Sequence, residues 1–542
     1  MPTPLDRFFD HYYHRRPVNA TLTGVHDVDS ELPDWSRVGL ASLDREMADL
    51  ESALAANNAG ATNIEVIDAA LATDFLAIQR AENAGGHGVR RNPSMWVGEA
   101  AFSLIALMIR DFAPVDERIE SALARLDALP AFLDEAPRTI DRQTIPSAWA
   151  EKARRECEGL RVLLTRGLPS WLGEARATTG ARAAAERAEA AVQRFTEWLD
   201  GARHTPGNGY ACGDELFELL LRRGHRCARR SADLLRDARR QFELERAHLD
   251  EMSREIAGSW REAEQAIAAD HPSENEYMLS FERVWQAARA CAVENDVVTW
   301  PDWPIRYGPY PAFTREAAPY LYYLFYRSPA PFDSYSVHDY IVPALPTESA
   351  DRHLRAWNNS VIKLNHVVHH GGIGHHVQNW FAYHRASSRV GRIAAVDCAN
   401  RIGMFCGGTM AEGWASYVPG LMAELGFLTP LERLSEQHTR VRALARAIVD
   451  IELHSGLIAL DDAIQFYVER VGMSQDAARG EAVKNSMFPC TALMYWLGTQ
   501  SVRNLRLVTE RRLGSAFSLK RFHDEFLSFG SIPVPLIAEL MS

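Results

Sequence analysis

The chain of 542 residues has no surplus of positive charge: 59 Lys and Arg stand against 71 Asp and Glu, a formal net charge of -12. Clustered Lys and Arg drive binding to phosphate backbones, so this balance argues against a nucleic-acid partner. The one basic stretch, 222–240, carries Asp233 and Asp237 among its arginines and reads as a solvated helix face. Seven cysteines (Cys157, Cys212, Cys227, Cys291, Cys398, Cys406 and Cys490) show no Cys-x-x-Cys spacing. That excludes a zinc ribbon and a disulfide framework, and fits reduced thiols. No apolar run approaches the ~20 residues of a membrane span. The longest, 100–109, reads as a buried helix segment, and no membrane partner is expected. The first 19 residues hold Asp6, Arg7, Asp10, Arg15 and Arg16 without the apolar core of a signal peptide, so a cytoplasmic location is expected. Neither a Gly-x-Ser-x-Gly elbow nor a Gly-x-x-x-x-Gly-Lys loop occurs, which removes support for serine hydrolase and P-loop chemistry.

What is present is mostly helical patterning. Apolar residues recur at three- and four-residue steps over 42–54, 118–129 and 183–199, as amphipathic helices require. From Asp214 to about Ala268, Leu235, Ala238, Phe242, Leu249, Met252 and Ile256 keep a near-heptad spacing. One long helix is expected there, packed in a bundle core rather than pairing as a coiled coil. Between Trp300 and Pro346, nine prolines fall among many aromatic residues, including Tyr307, Tyr322, Tyr323, Phe325, Tyr326, Tyr335 and Tyr340. Proline removes backbone donors, so irregular chain or short edge strands are expected; the rings either wall a substrate cleft or cap the core. Helical patterning then returns through 393–425, 431–458, 460–471 and 491–513.

The chemistry concentrates in residues 366–378, His-Val-Val-His-His-Gly-Gly-Ile-Gly-His-His-Val-Gln, followed about thirty residues later by Ala-Glu-Gly-Trp-Ala around Glu412. Imidazoles plus a carboxylate from a second segment are ligands for a borderline divalent ion such as zinc, one per chain. Two pairings are open. His366 and His370 are four apart and would share a face of an unbroken helix. His369 and His375 are six apart, about 600° of rotation, so they converge only if the helix is interrupted. Gly371, Gly372 and Gly374 supply the means.

These segments resemble the His-Glu-x-x-Pro-Gly-His-His-x-Gln and Glu-Gly-Trp-Ala motifs of the DUF885 family, zinc peptidases of the gluzincin kind. The resemblance spans nearly the whole chain, including 20–27, 32–36, Arg446–Asp450 with His454, Pro489–Gly498 and 522–524. It implies a mainly α-helical, two-lobed, zincin-like body with a small sheet beside the metal helix: one domain, with an N-terminal lobe over 1–210 and a metal-site lobe over 211–542. It favours His369, His375 and Glu412 as ligands. His366, His376 and Gln378 would then orient ligands or meet substrate, as would His454. Tyr495 would either donate to a developing oxyanion or simply pack. The sequence departs from the family pattern where His370 replaces the catalytic glutamate and where Lys484-Asn485 replaces an Arg-Tyr pair. The expected function is metal-assisted hydrolysis of an amide or related bond in a small molecule or short peptide, with His370 as base or fourth ligand. The alternatives are a metal-dependent lyase or isomerase using His370 for proton transfer, and a catalytically silent metal- or ligand-binding protein.

Overall fold

A computed structural model describes residues 2–55, 62–85, 87–141, 144–201, 209–321, 329–334, 337–398 and 401–542. Of the aromatic stretch, Tyr322, Tyr323, Phe325, Tyr326 and Tyr335 lie outside these. The described chain is mainly helical. Its one sheet is a parallel pair, β1 (Ile305–Pro309) and β2 (His338–Val342), in which Tyr307 stands opposite Tyr340. Short strands in the proline-rich stretch are thus present, but they pair with each other in parallel.

The chain divides into two compact units. The first takes in Met1–Leu216 together with Tyr310–Ser334 and Val396–Met404, so two later stretches join the N-terminal helices. The three amphipathic patterns become the helices Arg37–Ala55, Val115–Thr139 and Thr179–Asp200. The apolar run lies in Pro93–Met108, which is buried almost all round. No helix among the described residues is long and apolar enough to cross a membrane.

The second unit comprises Phe217–Pro309, Tyr335–Ala395 and Phe405–Ser542. Two helical expectations need correction. The long helix from Asp214 is instead Asp214–Leu219 with a π-helical turn Leu220–Gly224, then Ser231–Ala257, then Trp260–Ala269. The first break follows from His225, a buried ring whose Nε2 donates to the Cys490 carbonyl at 2.7 Å. The second is Gly258, whose φ of 91° ends the helix, while Ser259 caps the next by accepting from the Glu262 amide. The heptad spacing holds within Ser231–Ala257 alone, which packs against Pro430–His454. Likewise, 393–425 is not continuous: Arg389–Ile393 ends well before Gly408–Glu424 begins.

A close helix crossing joins Gly408–Glu424 to Met494–Leu513. A Cβ on Gly498 would stand 2.1 Å from the Thr409 carbonyl, and one on Gly413 would stand 2.6 Å from the Gly498 carbonyl carbon. Any side chain at either position would push the helices apart. Glu412 directly precedes one glycine and Tyr495 lies three residues before the other, so backbone contact fixes the relation of their two helices.

Candidate metal site

The histidine segment starts where Asn358 Oδ1 accepts the Val361 amide and caps one α-turn, Asn359–Val361. The chain then widens into a ten-residue π-helix, Ile362–Gly371, a rare winding that favours functional sites. His370 Nδ1 meets the Asn365 carbonyl at 2.7 Å. A carbonyl only accepts, so Nδ1 carries the proton and Nε2 holds the lone pair. Helical geometry fails at Gly372 and Gly374, and a new helix begins at His375. Glycine is required at 374, where a Cβ would fall 1.9 Å from the His369 carbonyl oxygen. Indole donors hold the interruption in place. Trp414 Nε1 reaches the Ile373 and Gly374 carbonyls at 2.9 and 3.2 Å, and Trp285 Nε1 reaches that of Gly371 at 2.9 Å.

This turn brings His369, His370 and His375 together, with one ligand nitrogen from each within 4.8 Å of the others. Glu412 faces them: its Oε2 lies 3.4 Å from His369 Nε2 and 3.5 Å from His375 Nε2. Two ligands bound at about 2.0–2.1 Å in a tetrahedral shell stand roughly 3.3–3.4 Å apart. The spacing therefore matches neighbouring corners of a zinc shell. That buried oxygen has no partner in hydrogen-bond geometry, as expected for an atom meant for a cation.

The electrostatics agree. Burial alone would raise the Glu412 carboxyl, but His375 and His369 outweigh it and hold the group well below the usual carboxylate range. Burial lowers His369 against the pull of Glu412, and burial, His369 and His375 hold His370 well below the usual imidazole range. The His369 and His370 rings are thus held toward the neutral form that a metal ligand requires. His375 Nδ1 donates to Gln378 Oε1 at 3.3 Å, and Gln378 Nε2 donates to Ser531 Oγ at 2.7 Å. This chain leaves the His375 Nε2 lone pair aimed at Glu412.

Other sequence candidates lie elsewhere. His366 is buried flat against Trp357, with centroids 4.1 Å apart, and its Nδ1 meets Tyr340 Oη at 2.7 Å. Its ring centroid is 6.4 Å from that of His370, so the four-apart pair is not drawn together as closely as His369 and His370, at 4.5 Å. The reason is that Trp357 and β2 claim the His366 ring. His376 turns to Trp303, stacking on the indole at 4.8 Å and donating from Nε2 to its carbonyl; it does not orient a ligand in the manner of Gln378. His454, Lys484 and Asn485 belong to a separate buried group. His454 Nε2 donates to the Asn485 carbonyl at 2.9 Å, and Asn485 Nδ2 donates to Tyr467 Oη at 2.5 Å. Lys484 adds its charge to Glu481, which clamps Arg446 at 2.8 and 2.7 Å. Tyr495 is half-buried, with the Arg446 guanidinium 4.7 Å from its ring centroid.

Sequence reasoning did not single out Glu481, Tyr467 or the phenol of Tyr307. The buried Tyr307 hydroxyl has no hydrogen-bond partner among the described residues and lies against Gly371, where a Cβ would come within 2.4 Å of it. A usable signal existed in the short β-run around Tyr307, which places its ring on the face shared with Tyr340.

The whole fold is similar to two solved structures. The "putative lipoprotein of unknown function" from Shewanella oneidensis gives a TM-score of 0.78 at 20% identity, covering 99% of this chain and 98% of that one. The "putative lipoprotein" from Colwellia psychrerythraea gives 0.76 at 16%, with coverage of 99% and 98%. At these identities the likeness is one of fold. No protein of curated function matches. The family described as "Bacterial protein of unknown function (DUF885)" matches residues 17–541, so the chain belongs to the DUF885 family.

Proposed function

We propose that this chain is a zincin-like metal-dependent hydrolase, with zinc held by His369, His375 and Glu412, acting on an amide or related bond of a small molecule or short peptide. The observation that carries the reading is the unpartnered Glu412 Oε2 placed 3.4 and 3.5 Å from two imidazole nitrogens. Two imidazoles and a carboxylate suit zinc and leave a position for substrate or water. When bound, the ion supplies Lewis acidity, polarising a carbonyl and acidifying water.

The chain's own groups supply the proton handling. His370, neutral and with its Nε2 lone pair fixed by the Nδ1 bond to Asn365, takes the proton from attacking water and returns it to the leaving amine. A glutamate base is absent from that position, which directs the reading toward substrates less demanding than a folded polypeptide.

Elemental analysis of protein purified without added metal tests the proposal, with about one divalent ion per chain expected. Folded protein that is metal-free and fails to take up zinc would overturn it.

A further inference from the structure

The first unit contains a cavity of about 100 Å³, lined by none of the residues of the histidine cluster. An engineered cavity of ~150 Å³ accommodates benzene, so this one has room for roughly four to six non-hydrogen atoms. Its walls are unusual in carrying polar groups that do not satisfy one another. Asn19 is only 5% exposed, and neither its amide oxygen nor its nitrogen has a hydrogen-bond partner among the described residues. Gly403 closes against it: a Cβ there would stand 3.0 Å from Asn19 Nδ2.

Glu99 also lines the cavity and joins no hydrogen bond or ion pair among the described residues. Burial pushes its carboxyl up to about 7, with Arg16 and Arg125 pulling the other way. The Arg16 guanidinium lies over the Phe75 and Tyr12 rings, at 4.8 and 5.5 Å, and donates to Gln79, but has no carboxylate partner among the described residues. Other charges on the same wall are saturated: Arg401 clamps Glu82 at 2.6 and 2.7 Å, and Arg15 holds Glu46. One carboxylate and one guanidinium therefore line a small volume, with the unsatisfied, fully covered Asn19 amide in its wall.

Buried polar groups are ordinarily paired, and a buried charge is costly without a counter-charge. A ligand that satisfies this set must carry a cation, an anion and hydrogen-bonding capacity within a few atoms. A simple carboxylate would add a second anion beside Glu99, and a simple amine a second cation beside Arg16. We infer that the cavity binds a small α-amino acid as its zwitterion, the ammonium on Glu99, the carboxylate on Arg16, and the Asn19 amide bridging them. The limited volume and the rings of Tyr12 and Phe75 select a short side chain.

Calorimetric titration of the full-length protein with glycine and L-alanine tests this, with propionate and ethylamine as single-charge controls. At least one amino acid should bind once per chain, and both controls should bind at least ~10-fold more weakly, because each forfeits one charge-assisted contact. Glu99→Gln and Arg16→Lys should each weaken binding by a similar factor, and either variant decides the matter if only one retains the parent's circular dichroism. Free amino acids also chelate metals, so His369→Ala is included and should bind as the parent does. Absence of binding, equal binding of propionate, or binding that survives Glu99→Gln but vanishes in His369→Ala would overturn the inference. The last outcome would place the ligand at the histidine cluster.

Discussion

Glu412 and Asp450 are both carboxylates set into the second unit, and their surroundings displace them in opposite directions. Glu412 Oε2 faces two imidazoles, outside hydrogen-bond geometry, and its interaction with them holds the carboxyl well below the ordinary range despite burial. Asp450 is fully buried and accepts the amides of Cys490 and Leu493 at 3.0 and 2.9 Å. There burial wins over the backbone donors, and the carboxyl is pushed up to about 7. The first has the setting that the proposed metal site requires of a ligand. The second anchors a turn in which Cys490 takes a φ of 62°, immediately before the Tyr495 helix. Burial alone therefore does not mark a functional carboxylate: fixed amides make an anchor, and neutral nitrogen lone pairs make a ligand site.

Removing the charge from each breaks the comparison most sharply. Glu412→Gln should lower metal affinity by more than ~100-fold, beyond the 10- to 100-fold loss typical of outer partners, whereas Asp450→Asn should retain about one ion per chain. Chelator competition followed by elemental analysis measures both. Equal retention by the two variants would show that Glu412 is no ligand.

His370 sharpens the comparison from the imidazole side, because it shares the cluster with His369 and His375. His370→Ala should leave metal content unchanged and slow turnover by roughly 10²- to 10⁴-fold, the usual range for a positioned base. His370→Glu should keep the metal yet fail to restore the parent rate, since the π-helix fixes an imidazole through Asn365 that a carboxylate cannot reproduce. A panel of amides, dipeptides and small carboxylic acids assayed with all three proteins reads this out. Peptide cleavage undiminished in His370→Ala would remove His370 from the mechanism.

Gln378→Ala should weaken metal binding by about 10- to 100-fold, because it frees the His375 ring from its link to Ser531. His376→Gln should cost stability through lost stacking on Trp303 while leaving metal affinity within about threefold.

The sequence displayed much of this site because its determinants are local. Five histidines and three glycines within thirteen residues announce both ligands and an interrupted helix, and Gly374 proves indispensable through contact with a residue only five positions away. What stayed hidden depends on distant chain. His366 has the better helical spacing, yet Trp357 and Tyr340 claim its ring. The single helix expected from Asp214 is broken at His225, whose acceptor is a carbonyl 265 residues away. Asp450 reads as one more polar residue on an amphipathic helix, and only the returning turn at Cys490–Leu493 reveals its task. The π-winding of Ile362–Gly371 has no composition of its own, being set by the packing around it.

The smallest expected effect is the share of the pH dependence of stability that Asp450 contributes. Its folded pKa of about 7 lies above its ordinary value of 3.8. Below about pH 4 both folded and unfolded chains hold the proton, and the group contributes no slope. Between about 4 and 7 the unfolded chain releases the proton while the folded chain keeps it, so stability falls as pH rises; above about 7 both are ionised and the slope vanishes. From pH 5 to pH 7 the loss should be about 2 kcal/mol, equivalent to a few degrees in the unfolding midpoint of a unit this size. Asp450→Asn cannot titrate and should lack this component, so the difference between parent and variant midpoints should shift in the variant's favour between pH 5 and pH 7. Parallel midpoints across that window would mean that the amides of Cys490 and Leu493 stabilise the ionised carboxylate enough to offset its burial, and Asp450 would join Glu412 as a permanent anion.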